Sequence, residues 1–150
     1  MQRDGTSAGS SEVWQAYAAQ KLSNVKVTAG LAQKGYSVTM TVAGFSGARS
    51  TVGASAHQFG IGSAPQVSLT PETSGSVVWG VGRVLGSRYN PTTLSGQKVV
   101  HDETFKSPST GYWVQRTTGT TTAGTPITVG AKATAKTWGL TAVEIRGVCG

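Results

Sequence analysis

The chain has one cysteine, Cys149, two histidines, His57 and His101, and only six acidic residues in 150 positions. A lone thiol closes no internal disulfide and makes no metal site by itself. Two histidines in separate segments leave little material for a general base or a metal cage. Six scattered carboxylates do not suggest the facing acid pair of a glycosidase. The chain holds no P-loop, no dinucleotide fingerprint and no calcium loop. Gly44-Phe45-Ser46-Gly47 falls short of the five-residue nucleophile elbow. No run approaches the ~20 apolar residues of a membrane helix, so no membrane span is expected. Met1-Gln2-Arg3-Asp4-Gly5 does not open a signal-peptide apolar core. These absences lead to the expectation of a non-enzyme with no catalytic residue, no metal and no cofactor.

Charge is also sparse. Charged residues make up 13% of the chain, against about 25% in an average globular domain. The net charge of +7 comes from 13 basic and six acidic residues. The basic residues (among them Lys21, Lys26, Lys34, Arg49, Arg83, Lys98 and Lys106) stand singly, never three in a row. Specific nucleic-acid binding is therefore not expected; the charge reads as that of a soluble basic domain, with weak attraction to acidic polymers as the alternative.

What the chain does have is glycine, at 21 positions, and threonine, which is as frequent. Threonine and valine lose rotamer freedom in helices, and glycine loses backbone entropy there, whereas strands joined by tight turns suit all three. Alternation is clearest at Tyr36-Ser37-Val38-Thr39-Met40-Thr41-Val42, where apolar and hydroxyl side chains take opposite faces. Similar runs at 12–18, 24–29, 66–70, 76–81, 98–105, 112–117, 126–129 and 140–146 bring the total to about nine strands. Turn chemistry at Lys34-Gly35, Ser74-Gly75, Ser95-Gly96 and Ala123-Gly124 separates several of them. The predicted fold class is all-β, an antiparallel β-sandwich of jelly-roll or Ig-like type. Residues 1–11 read as a flexible polar lead-in and 12–150 as a single domain. Residues 47–64 read as a long surface loop with at most a short central strand, and 83–96 as a second irregular segment.

Binding candidates come from the aromatic residues. Trp14, Trp79, Trp113 and Trp138 all fall in or beside predicted strands, where most are expected to pack inward. In Tyr112-Trp113 one ring must face away from the core. Tyr89, beside Arg88 and Asn90 in an irregular segment, is the aromatic expected to be exposed. The same alternation puts His101 and Glu103 on one face of a strand and Asp102 on the other. The candidate ligand-binding set is Tyr89, Arg88, Tyr112, Trp113 and His101.

A resemblance adds to this reading. Glu12-Val13-Trp14, Gly35-Tyr36, residues 39–47 (TMTVAGFSG), 62–70 (GSAPQVSLT), 75–82 (GSVVWGVG), Tyr112-Trp113-Val114-Gln115 and 138–146 (WGLTAVEIR) together resemble a β-sandwich accessory module. That module belongs to large secreted bacterial proteins, where it sits beside Ig-like, fibronectin-III-like or glycan-active domains. The resemblance implies a secreted or extracellular accessory role, with polysaccharide or cell-surface glycan as partner, in binding or adhesion. The look-alike begins with further strands before Ser11, and its loops differ at 83–88 and at Lys132, Ala133 and Lys136. A missing strand would leave an open edge able to accept another chain. The alternative expectation is therefore a structural subunit that self-associates by edge-strand exchange into a filament or particle.

Overall fold

The computed structural model describes residues 2–3, 11–31, 38–86, 89–106 and 109–147. It is all-β and antiparallel, with strands β1 (Gln2–Arg3), β2 (Glu12–Val13), β3 (Ser55–Ser63), β4 (Gln66–Leu69), β5 (Val77–Leu85), β6 (Gln97–Phe105), β7 (Thr110–Thr117), β8 (Ile127–Gly130) and β9 (Ala135–Ile145). The main sheet has the order β3-β9-β5-β7-β6; β4 pairs with β8, and β1 with β2.

Pairing register assigns every side chain of the main sheet to a face. On the first face lie Val78, Val84, Trp113, Trp138, Leu140 and Ala142, which form one buried core with Val67, Leu69 and Val129 from the β4-β8 pair. This is the sandwich. Glycine makes room for the large rings. A Cβ at Gly82 would overlap the Trp113 indole, and one at Gly60 would overlap Trp138. The Trp113 indole N–H donates to Gln115 Oε1 at 2.7 Å, and the Gln115 amide donates to Gln97 Oε1 (2.6 Å) and to the Gly130 carbonyl (3.1 Å). The Trp113 indole N–H and both polar atoms of the buried Gln115 amide thus gain partners.

The opposite face carries a smaller cluster, Trp79, Val114 and Val143, with Val13, Val81 and Ile145 packed on it. Here β2 lies against β9, and β1 against β3 and β9. Ser11, which was expected to be the end of a flexible lead-in, is buried, and its hydroxyl meets Thr141 Oγ1 at 3.2 Å.

Three other expectations about segments are corrected. Residues 47–64 do not form one loop, because nine of them make β3, laddered to β9 from Ser55↔Val143 to Ser63↔Ala135. Its core side offers Ala56, Gln58 and Gly60 rather than large apolar residues, so the backbone ladder and the room left for Trp138 define this strand. Second, the irregular segment begins only after Leu85, since Arg83–Leu85 complete β5. Third, the runs at 24–29 and 38–45 alternate as strands do but join no sheet, and of 12–18 only Glu12–Val13 is a strand. Tyr36 and Ser37 lie outside the described residues.

Candidate functional site

Between Val13 and Ala48 the chain leaves the sandwich and returns. Every described residue from Trp14 to Gly47 is exposed except the half-buried Thr39, and none belongs to a helix or a strand. Such long excursions are uncommon in compact domains, where connections have a median of about 4–6 residues. The side chains are not those of a solvated linker. Trp14, Tyr17, Leu22, Val25, Val27, Leu31, Val38, Met40, Val42 and Phe45 are all exposed, with Trp14 at 73% and Leu22 at 62%.

Both feet of this excursion stand on the same spot. Val13 packs on the Trp79 cluster, and the Phe45 ring meets Trp79 edge-on with centroids 5.4 Å apart. A shallow cleft lined by Ala43, Gly44, Phe45, Ser46, Trp79 and Arg116 marks the second foot. Beyond it Ala48 bridges Gly147, and Arg49 N donates to the Arg146 carbonyl at 2.9 Å. The Arg146 guanidinium donates to Thr73 Oγ1 (2.9 Å) and Thr51 Oγ1 (3.2 Å), and it pairs with Glu72 at 3.5 Å.

The strongest anchor is Glu144. This carboxylate is only 1% exposed. Its Oε2 accepts from Ala54 N and Glu72 N, both at 2.9 Å; Oε1 accepts from Thr73 N (3.0 Å) and Ser76 Oγ (2.7 Å). Burial pushes its pKa up, but these bonds outweigh burial and leave the carboxyl below its usual value. The Glu144 N–H also donates to the Ala54 carbonyl at 2.7 Å. At Gly53 a Cβ would overlap the Glu144 backbone and Cβ, so only glycine passes. One ion therefore ties the returning strap, the 71–76 turn and β9 together. Sequence reasoning missed it, although the signal was present: Glu144 falls on the same alternation as Leu140 and Ala142.

The residues singled out from sequence do not converge. Tyr89, expected to be exposed, is buried: it stacks on Trp113 at 5.2 Å and donates its hydroxyl to the Ala133 carbonyl at 2.9 Å. Burial pushes its phenol up to about 12. Trp113 is fully interior, and Tyr112, on the opposite face, is half-buried against Phe105. His101 is exposed on the edge strand β6, on the Tyr112 face together with Glu103, while Asp102 points to the other face as alternation predicts. Arg88 lies outside the described residues. His57 is on β3 and His101 on β6, the two outer strands of the sheet, so four interstrand steps of ~4.8 Å put them roughly 19 Å apart. No group of three or more metal-ligating side chains occurs among the described residues, and no helix among them is long and apolar enough to cross a membrane. A shallow cleft near Tyr89 is also lined by Asn90, Asp102, Thr104 and Lys106; of the five candidates it gathers only Tyr89. No protein-family model matches the chain, and no curated protein and no solved structure matches it either.

Proposed function

We propose that the chain is a structural subunit that self-associates, with the exposed segments 14–31 and 38–47 as its assembly element. The observation that carries this reading is the row of apolar side chains held out of the sandwich along a backbone that makes no ladder. Water does not reward that arrangement. Each buried aromatic or aliphatic side chain of this kind is worth about 1.5–3 kcal/mol once covered. An unladdered strand-like backbone likewise gains when it finds an edge.

Glycan binding, the other expectation, has less support: Tyr89 and Trp113 are interior, Arg88 lies outside the described residues, and only the half-buried Tyr112 and the exposed His101 share a face.

The test is the mass of the purified chain in solution, by light scattering coupled to gel filtration across a wide concentration range. A discrete multiple of the 15.4 kDa chain mass is expected. A species that stays monomeric throughout refutes the reading.

A further inference from the structure

Among the described residues the main sheet ends in two outer strands, β3 and β6, and they are built differently. β6 is defended: it carries Lys98, His101, Asp102 and Glu103, and its register breaks at a bulge between Val99 and His101. Charges and bulges are how natural edge strands refuse further strands. β3, at the other edge, has no Lys, Arg, Asp, Glu or Pro in its nine residues, and its ladder among the described residues is with β9 alone. On its outer face Phe59 is 60% exposed and Ile61 is 79% exposed. Their neighbours across the ladder, Gly139 and Thr137, offer little side-chain cover. An undefended edge with protruding apolar residues calls for a strand to cover it.

We infer that the Phe59-to-Ser63 half of β3 is the receiving site, and that its occupant is residues 38–45 of a second copy of this chain. This rests on the self-association proposed above and names its contact. Three observations select the occupant. Residues 38–45 belong to no helix or strand and join no ladder among the described residues, so their backbone can take up strand addition. The segment (VTMTVAGF) contains no charge, like the edge it meets. Its exposed Val38, Met40 and Val42 recur with period two, as Phe59 and Ile61 do. By contrast, residues 14–31 carry Lys21 and Lys26, which an apolar edge would have to desolvate. The lengths also agree, since eight extended residues span about 27 Å and can cover the outer half of β3 and beyond. Strand addition supplies main-chain hydrogen bonds, and the alternating side chains set the register.

The experiment uses the full chain with Cys149→Ala as background. Two differently tagged chains are co-expressed, one carrying M40C and the other I61C, and are treated with a short bismaleimide; a parallel pair carries M40C and V100C, the latter on β6. Because each chain has a single thiol, every hetero-cross-link is intermolecular. The expected result is an M40C–I61C product several-fold more abundant than M40C–V100C. Oligomers by light scattering with equal or inverted yields overturn the contact and leave self-association standing. A monomer with no cross-link overturns both. A second variant, Phe59→Lys with Ile61→Lys, changes only exposed side chains. It is expected to keep the thermal midpoint and circular dichroism of the parent while losing its higher mass, and retention of that mass counts against β3.

Discussion

Glu144 shows what one side chain can organise when its whole hydrogen-bonding capacity is used. An ionised carboxylate out of water is expensive unless donors surround it, and here three backbone N–H groups and one hydroxyl do so. Glu144→Gln puts an amide NH₂ where two of those donors point, leaving them unpaired. The expected loss is about 2–6 kcal/mol, from two buried donors at about 1–3 kcal/mol each, read as a lowered midpoint in urea. The pH dependence follows from the sign of the shift. The folded pKa lies below the unfolded one, so the stabilisation is complete above the unfolded value of about 4.3 and is lost as pH falls through the folded value. Thermal midpoints followed from about pH 7 to pH 3 should fall steeply for the parent and less for Glu144→Gln; parallel curves would remove Glu144 from the acid response. Tyr89 works at the other end of the scale. Its phenol is held neutral to about 12, so above pH ~10 the unfolded chain ionises first and stability declines as pH rises. Tyr89→Phe should flatten that alkaline decline and cost about 1 kcal/mol at neutral pH for the lost bond to Ala133. Much at this scale was readable from sequence. Three of the four tryptophans pack inward, as expected of most of them, while Trp14 is exposed, and the opposed faces of Tyr112 and Trp113 follow from alternation alone. Tyr89 was not readable, because its burial depends on Gly111 in a distant strand leaving space beneath it.

At the scale of elements, the same alternation signal led to success and to failure. Residues 66–69, 97–105, 110–117 and 127–130 alternate and pair, whereas 24–29 and 38–45 alternate just as cleanly and pair with nothing among the described residues. Period two reports that a segment can bury one face against something; it is silent on whether that partner is the same molecule. β3 shows the converse. It has a nine-residue ladder but small residues on its inner side, so its sequence looks like a loop. Replacing residues 18–42 with a short Gly/Ser linker tests the division of labour between excursion and sandwich. Val13 packs on the Trp79, Val114 and Val143 cluster and Phe45 meets Trp79, so a short connection joins two points of one cluster. Each halving of the loop returns only about 0.6 kcal/mol of closure entropy. The shortened chain should therefore fold with a thermal midpoint at or slightly above that of the isolated parent subunit, and its mass should be that of one chain. Collapse into aggregates or loss of the near-ultraviolet tryptophan signal would show that the excursion is needed for the sandwich itself.

For the whole molecule, the decisive opposition is between apolar surface and net charge. Each copy carries +7, so copies repel one another over a distance set by the salt, about 10 Å at 0.1 M and 30 Å at 0.01 M. The proposed contact offers no carboxylate to offset that repulsion, since 38–45 and the Phe59–Ser63 half of β3 contain no Asp, Glu, Lys, Arg or His. An assembly held by apolar strands between like-charged bodies should tighten as salt rises, because screening removes the repulsion while apolar burial remains. If the excursion docked instead on the β6 edge, Lys21 and Lys26 would meet Asp102 and Glu103, and salt would loosen the complex. Sedimentation velocity at low and high sodium chloride separates these cases by the sign of a single slope. A sedimentation coefficient that rises with salt places the attraction on the uncharged edge. One that falls with salt moves it to β6, and it would do so without a single substitution in the chain.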